Sequence, residues 1–142
     1  MDIPLASTSR IEKKPELVEA LKKVLPPASI IEDKAETLAY ECDALTAYRC
    51  PPMLVVLPET TAQVSEVLKL CHKMNIPVIP RGSGTSLAGG AMPSADSVVL
   101  GVSKMNSVLE TDYRDRFIRV QSGLTNIGAV SYTHLTLPTT LC

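Results

Sequence analysis

IPVIPRGSGTSLAGG, residues 76–90, decides how this chain is read. A short apolar run with β-branched residues and a proline at each end predicts a strand. Out of it comes a loop holding Gly82, Gly84, Gly89 and Gly90 together with the hydroxyls of Ser83, Thr85 and Ser86. Glycines let the backbone approach a ligand closely, and successive N–H groups in such a turn converge on an anion without a charged side chain. The loop also follows a strand end, where open α/β sheets hold their ligands. Two familiar phosphate motifs fail: no lysine completes a Walker loop, and Leu87 stands where GxGxxG requires its third glycine. On the residues alone two readings stay open, an anion-binding turn and a glycine-rich connection with no ligand.

Outward from this stretch the pattern is regular. MLVVL, Met53 to Leu57, is a continuous apolar run between prolines, the mark of a buried strand. Thr60 and Gln63 have capping-box spacing, and Val64, Val67, Leu68, Cys71 and Met74 predict one face of a helix that Asn75 and Pro77 end. Strand, helix and strand then make a βαβ unit, with parallel pairing and a right-handed crossover. SVVLGV, SVLETD and FIRVQ predict three further strands, with YRDR as a hairpin turn between the last two. Upstream, KPELVEALKKVLPP predicts an amphipathic helix with Leu17, Val18, Leu21, Val24 and Leu25 on one face, and Lys34 to Tyr40 a shorter one. The expected class is α+β, a small parallel layer followed by a more antiparallel one.

Composition narrows the function. The 142 residues suffice for one hydrophobic core, and 14 basic against 15 acidic residues give a formal charge of -1 without blocks of either sign. Nucleic-acid binding, which needs a basic face, is not expected. No apolar run is long enough to span a membrane, and the start lacks the order of a secretory signal, so the cytoplasm is the expected compartment. Cys42, Cys50, Cys71 and Cys142 lack metal-ligand spacing and are expected as free thiols, Cys71 as a core residue; a Cys42–Cys50 bridge or clip is the lesser alternative. His72 reads as a surface histidine.

VVLPETTAQVSEVLKLC, IPVIPRGSGTSLAGG and VVLGVSKMNSVLETDYRDRFIRVQSGLTN, in that order, resemble the N-terminal half of the FAD-binding domain of the vanillyl-alcohol oxidase / p-cresol methylhydroxylase type. Within that superfamily the chain is most similar to the FAD-linked subunit of bacterial glycolate oxidase and its D-lactate dehydrogenase relatives, and YECDALTAYRCPP upstream shares the likeness. The resemblance implies that the glycine loop wraps the FAD pyrophosphate. Backbone N–H groups of Gly82, Ser83, Gly84 and Thr85 would hold it, Thr85 and Ser86 would add hydroxyls, and Gly89 and Gly90 would complete the wrap. Pro80 would aim the chain, and Arg81 would either add charge near the phosphates or be plain surface. Some relatives attach the flavin covalently through a histidine in this loop; Thr85 stands at that place, so FAD is expected to be held non-covalently. Ser122 and Gly123, in the SGLTN that opens the next helix, are weaker candidates.

The implied activity is oxidation of a small 2-hydroxy acid such as glycolate or D-lactate, with partner subunits that include an iron–sulfur one. The alternative is a non-catalytic module that holds FAD or another pyrophosphate. No residue is assigned as a catalytic acid or base. The organisation expected is a helical segment over residues 1–50, the FAD-binding half domain over 51–130, and a tail over 131–142. SYTHLTLPTTLC departs from the family after Val130, as a break in reading frame would produce, and His134 and Cys142 are not expected to be ligands.

Overall fold

The computed structural model describes residues 6–136. Six short strands and five helices follow in the order α1 (Thr8–Ile11), α2 (Lys14–Leu21), β1 (Ile30–Ile31), α3 (Lys34–Thr37), β2 (Leu54–Val56), α4 (Thr61–Lys73), β3 (Val78–Arg81), β4 (Val98–Gly101), β5 (Val108–Asp112), β6 (Phe117–Val120) and α5 (Asn126–Thr136). The class is the expected α+β.

One sheet has the order β1-β2-β4-β3; the other is the hairpin β5-β6. The strands of the expected βαβ unit, β2 and β3, are parallel in one sheet but are not neighbours. Strand β4 lies between them, with Leu54 opposite Val98 on one side and Val78 opposite Val98 on the other. Composition explains the order. VVLG is buried at every position and so belongs in the centre, whereas Pro80 in β3 cannot donate to a ladder on its outer side and suits an edge. Strand β1, which the sequence reading missed, pairs antiparallel with β2 and covers its other edge. Two residues carry too little pattern to be read.

Both faces of the sheet are covered, which accounts for the continuous apolar runs. Leu54 and Val56 with Val98 and Leu100 face a core built with Leu17, Val18, Leu21 and Leu25 and with Val67 and Cys71 of α4. Val55, Leu57 and Val99 point the opposite way and pack with Ile31, Tyr40 and Ile79. The alternation is the period of two that a pleated strand imposes.

Local chemistry sets the boundaries. The Gln63 N–H donates to the Thr60 hydroxyl at 3.2 Å while Gln63 Oε1 accepts from the Thr60 N–H, closing the capping box that starts α4. Asn75 ends that helix in the left-handed region, φ 56°. On α4 the buried stripe differs from expectation by one residue: Leu68 is exposed and Leu70 packs toward the core. Lys34 to Tyr40 is not one helix; Asp33 caps a single turn, α3, which tightens to a 3₁₀ turn over Leu38–Tyr40. At the YRDR turn Asp112 Oδ1 accepts from the Arg114 and Asp115 N–H groups, and Arg116 takes φ 56°. The helix expected from SGLTN is α5. It runs on past Val130 to Thr136, in a stretch without proline or glycine before Pro138.

Candidate functional site: the carboxyl ends of strands β3 and β4

Arg81 stands opposite Gly101 in the parallel ladder, so β3 and β4 end together. The loops that leave them, from Gly82 and from Val102, therefore start side by side at the carboxyl edge of the sheet. This is where open α/β sheets bind ligands. The third wall comes from the hairpin's exit. The Gln121 N–H donates to the Ser107 carbonyl, the Ser107 N–H to Gln121 Oε1 and the Gly123 N–H to the Met105 carbonyl, at 2.8–2.9 Å. A side chain at Gly123 would land on the Val102 carbonyl oxygen, so only glycine permits this backbone approach.

Two hollows result. One, of about 300 Å³, lies on the glycine loop and is lined by Pro80, Gly82, Ser83, Gly84, Thr85, Ser86, Gly90 and Ala91. The other, of about 600 Å³, shares Gly82 and Ser83 with it and continues between Ser103, Asn106 and Ser122–Thr125. A further hollow of about 690 Å³ lies at the opposite, amino edge of the sheet, where Lys14, Glu32, Lys34 and Thr37 rim apolar walls that include Leu38, Pro52 and Met53.

The donor set of the loop matches an anion. Among the described residues, the backbone N–H groups of Gly82, Ser83, Gly84 and Thr85 make no hydrogen bond within the protein. Gly84 and Gly89 take φ of 74° and 75°, the turns that let consecutive N–H groups converge. At Gly82 a Cβ would meet nothing within 4 Å, which leaves room for an outside group to reach the backbone. The hydroxyls of Ser83 and Thr85 lie 3.3 Å apart on the same exposed surface, and the Ser86 hydroxyl accepts from the Ala88 N–H. Among the described residues, no charged side chain lines either hollow. A pyrophosphate fits such a cradle: four unpartnered donors, added hydroxyls and an open approach.

The structure brings the sequence candidates together with two qualifications. Arg81 lines neither hollow; its Nη1 donates to the Cys42 carbonyl at 2.6 Å and its guanidinium carbon lies 5.4 Å from the centroid of the Tyr40 ring. Gly89 shapes the turn but lies outside both linings, against Leu45. Ser122 and Gly123 do line the larger hollow. Ser103, Asn106 and Thr125 were not singled out from sequence. Their signal was available in the rule used for the glycine loop: SKMN follows the neighbouring parallel strand and must emerge at the same edge.

Comparison with known proteins agrees with the geometry. A family model described as "FAD binding domain" matches residues 52–139. The glycolate oxidase subunit GlcD of Escherichia coli (strain K12) is 40% identical over 109 residues, 77% of this chain and 22% of the relative. A D-lactate dehydrogenase of Anaerostipes hadrus is 32% identical over 111 residues, 78% of this chain and 23% of the relative. The chain thus spans about a fifth of the length of these relatives. Among solved structures, p-cresol methylhydroxylase superposes with a TM-score of 0.76 at 18% identity, over 92% of this chain and 25% of that one. A glycine loop of unpaired donors lies at the carboxyl edge of a parallel sheet in a chain that matches this model over most of its length: the chain belongs to the FAD binding domain family, has the fold seen in p-cresol methylhydroxylase, and takes FAD as its cofactor.

Proposed function

We propose that this chain is the pyrophosphate-holding part of an FAD-dependent oxidoreductase that acts on a small 2-hydroxy acid such as glycolate or D-lactate. The observation that carries the reading is the set of four unpartnered N–H groups, Gly82 to Thr85, on consecutive residues that line one open hollow. They bind the pyrophosphate, Thr85 and Ser86 add hydroxyl donors, and Gly90 keeps the far side of the loop close. Ser103, Asn106, Ser122 and Thr125 orient the remainder of the cofactor along the larger hollow. FAD when bound supplies the hydride acceptance, and the protein supplies orientation. Thr85 forms no covalent link to a flavin, so the cofactor is exchangeable. The GlcD relative is a subunit by name, and the whole protein is proposed to work in the cytoplasm with partner subunits, one of them iron–sulfur.

A second reading has its own observation. Among the described residues no ionisable side chain lines either hollow, so neither hollow offers a group to accept the substrate's proton. It would then bind FAD or another pyrophosphate without turnover. The purified chain, titrated with FAD and followed by flavin fluorescence, then exposed without oxygen to glycolate and to D-lactate, separates the two. Binding with bleaching by a hydroxy acid supports the oxidoreductase in this chain. Binding without bleaching confines this chain to holding the cofactor. No binding of FAD, ADP or pyrophosphate refutes both.

A further inference from the structure

Tyr40–Leu45 lies within the YECDALTAYRCPP stretch that the proposed site leaves unused. Tyr40 belongs to the core on the second face of the sheet, packed with Val55, Leu57 and Val99. Its ring carries the Arg81 guanidinium, whose Nη1 donates to the Cys42 carbonyl at 2.6 Å. The same guanidinium lies where a side chain on Gly84 would have to go. Three residues on, Asp43 Oδ1 accepts from the Leu45 N–H at 2.9 Å and shapes a tight turn. That turn brings the Leu45 Cδ2 to 3.7 Å from where a Cβ on Gly89 would stand. Both positive-φ glycines of the loop therefore rest on this one segment, Gly84 through Arg81 and Gly89 through Leu45.

We infer that Arg81 is a positioning residue, which transmits the fixed place of Tyr40 and Cys42 to Gly84 and so sets the turn that aligns the four N–H groups, rather than a phosphate ligand. The inference rests on the pyrophosphate reading for its consequence but not for its geometry. A guanidinium suits the task because it is planar, stacks on an aromatic ring and donates from a fixed fork; a lysine ammonium has neither the plane nor the fork. Its charge remains beside the loop, and one of its N–H donors is committed to the Cys42 carbonyl.

The test is ¹⁵N relaxation of the backbone amides in the ligand-free 142-residue chain, comparing the unaltered protein with Arg81→Met, Arg81→Lys, Tyr40→Leu and the Arg81→Met/Tyr40→Leu double variant. The β4 amides, Val98–Gly101, serve as the internal control for folding. Order parameters at Gly82–Gly90 that fall in each variant from about 0.85 to about 0.6 or lower, with β4 unchanged and the double variant no lower than Arg81→Met, bear the inference out. Tyr40→Leu leaving the loop at its unaltered order overturns it, as does a loss of order that spreads equally to β4. Arg81→Met weakening FAD binding with no change in ligand-free order also overturns it, since Arg81 would then touch the phosphates. Failure of the unaltered chain to bind FAD removes the pyrophosphate reading alone, because the relaxation readout contains no ligand.

Discussion

Gly82→Ala separates binding from folding more cleanly than any other change in the loop. A Cβ at this position meets no protein atom within 4 Å, and the backbone there is not in the left-handed region. Stability should be unchanged or raised by up to about 1 kcal/mol, because alanine restricts the unfolded chain. The added methyl instead stands in the open approach to the first of the four N–H groups. Losing one hydrogen bond to a charged phosphate costs about 1.5–3 kcal/mol, and 1.4 kcal/mol is tenfold, so Kd for FAD should rise roughly ten- to hundredfold. Gly84→Ala is the matched contrast. Its φ of 74° disfavours any Cβ, and the methyl meets the Arg81 guanidinium. The left-handed cost of about 1–2 kcal/mol and a disturbed Arg81–Cys42 bond put the loss near 3 kcal/mol, on the order of 10 °C in Tm. Thermal unfolding followed by circular dichroism and FAD titration by fluorescence measure the two quantities separately. If Gly82→Ala binds FAD as the unaltered chain does, the loop is a connection and the site assignment is wrong.

Other expectations follow from single contacts. Gly123→Ala places a methyl on the Val102 carbonyl and breaks the Gly123–Met105 bond; it should cost about 2–4 kcal/mol by denaturant unfolding, and a variant of unaltered midpoint would contradict the close approach. Burial pushes the Asp96 carboxyl up, but the Ser7 N–H, the Arg10 guanidinium and the Ser94 hydroxyl outweigh it and hold it at about 2. A depressed carboxyl stabilises above its unfolded value near 4 and loses that contribution as pH falls toward 2, on the order of 2 kcal/mol; Asp96→Asn should flatten this part of the pH–stability curve. Burial raises the Cys71 thiol to about 11, with no exposed surface. Iodoacetamide at neutral pH should therefore label the half-buried Cys42 and Cys50 before Cys71 in peptide mass spectra, and early labelling of Cys71 would show that α4 opens.

Much of this architecture was legible because the deciding signals are local. The Thr60–Gln63 box, Asn75 at the end of α4, the YRDR turn and the apolar runs of β2 and β4 each depend on residues a few positions apart. The hydrogen bonds of the box and the turns join near neighbours in the chain, whereas the apolar runs announce strands whose ladder bonds close only across the sheet. Leu68 escaped this logic: its spacing placed it on the buried stripe, yet the core-facing side centres on Val67 and Cys71 and takes in Leu70 on their other flank.

The glycine loop shows the same division. Residue types alone indicated an open turn rich in donors, because glycine and hydroxyls carry that meaning in any context. Three matters depended on the fold. Insertion of β4 between β2 and β3 is a long-range choice, made by burying VVLG on both sides and leaving Pro80 at an edge. Closure of the larger hollow needed the Gly123 N–H to reach the Met105 carbonyl, which brings residues 102–106 against 122–125. The place of Arg81, beside the loop on Tyr40 and Cys42, joins residues 39 positions apart. Sequence by itself determined which backbone could turn and which groups could donate. Tertiary packing decided where those donors point, because direction is fixed only when a distant side chain fills the space behind them.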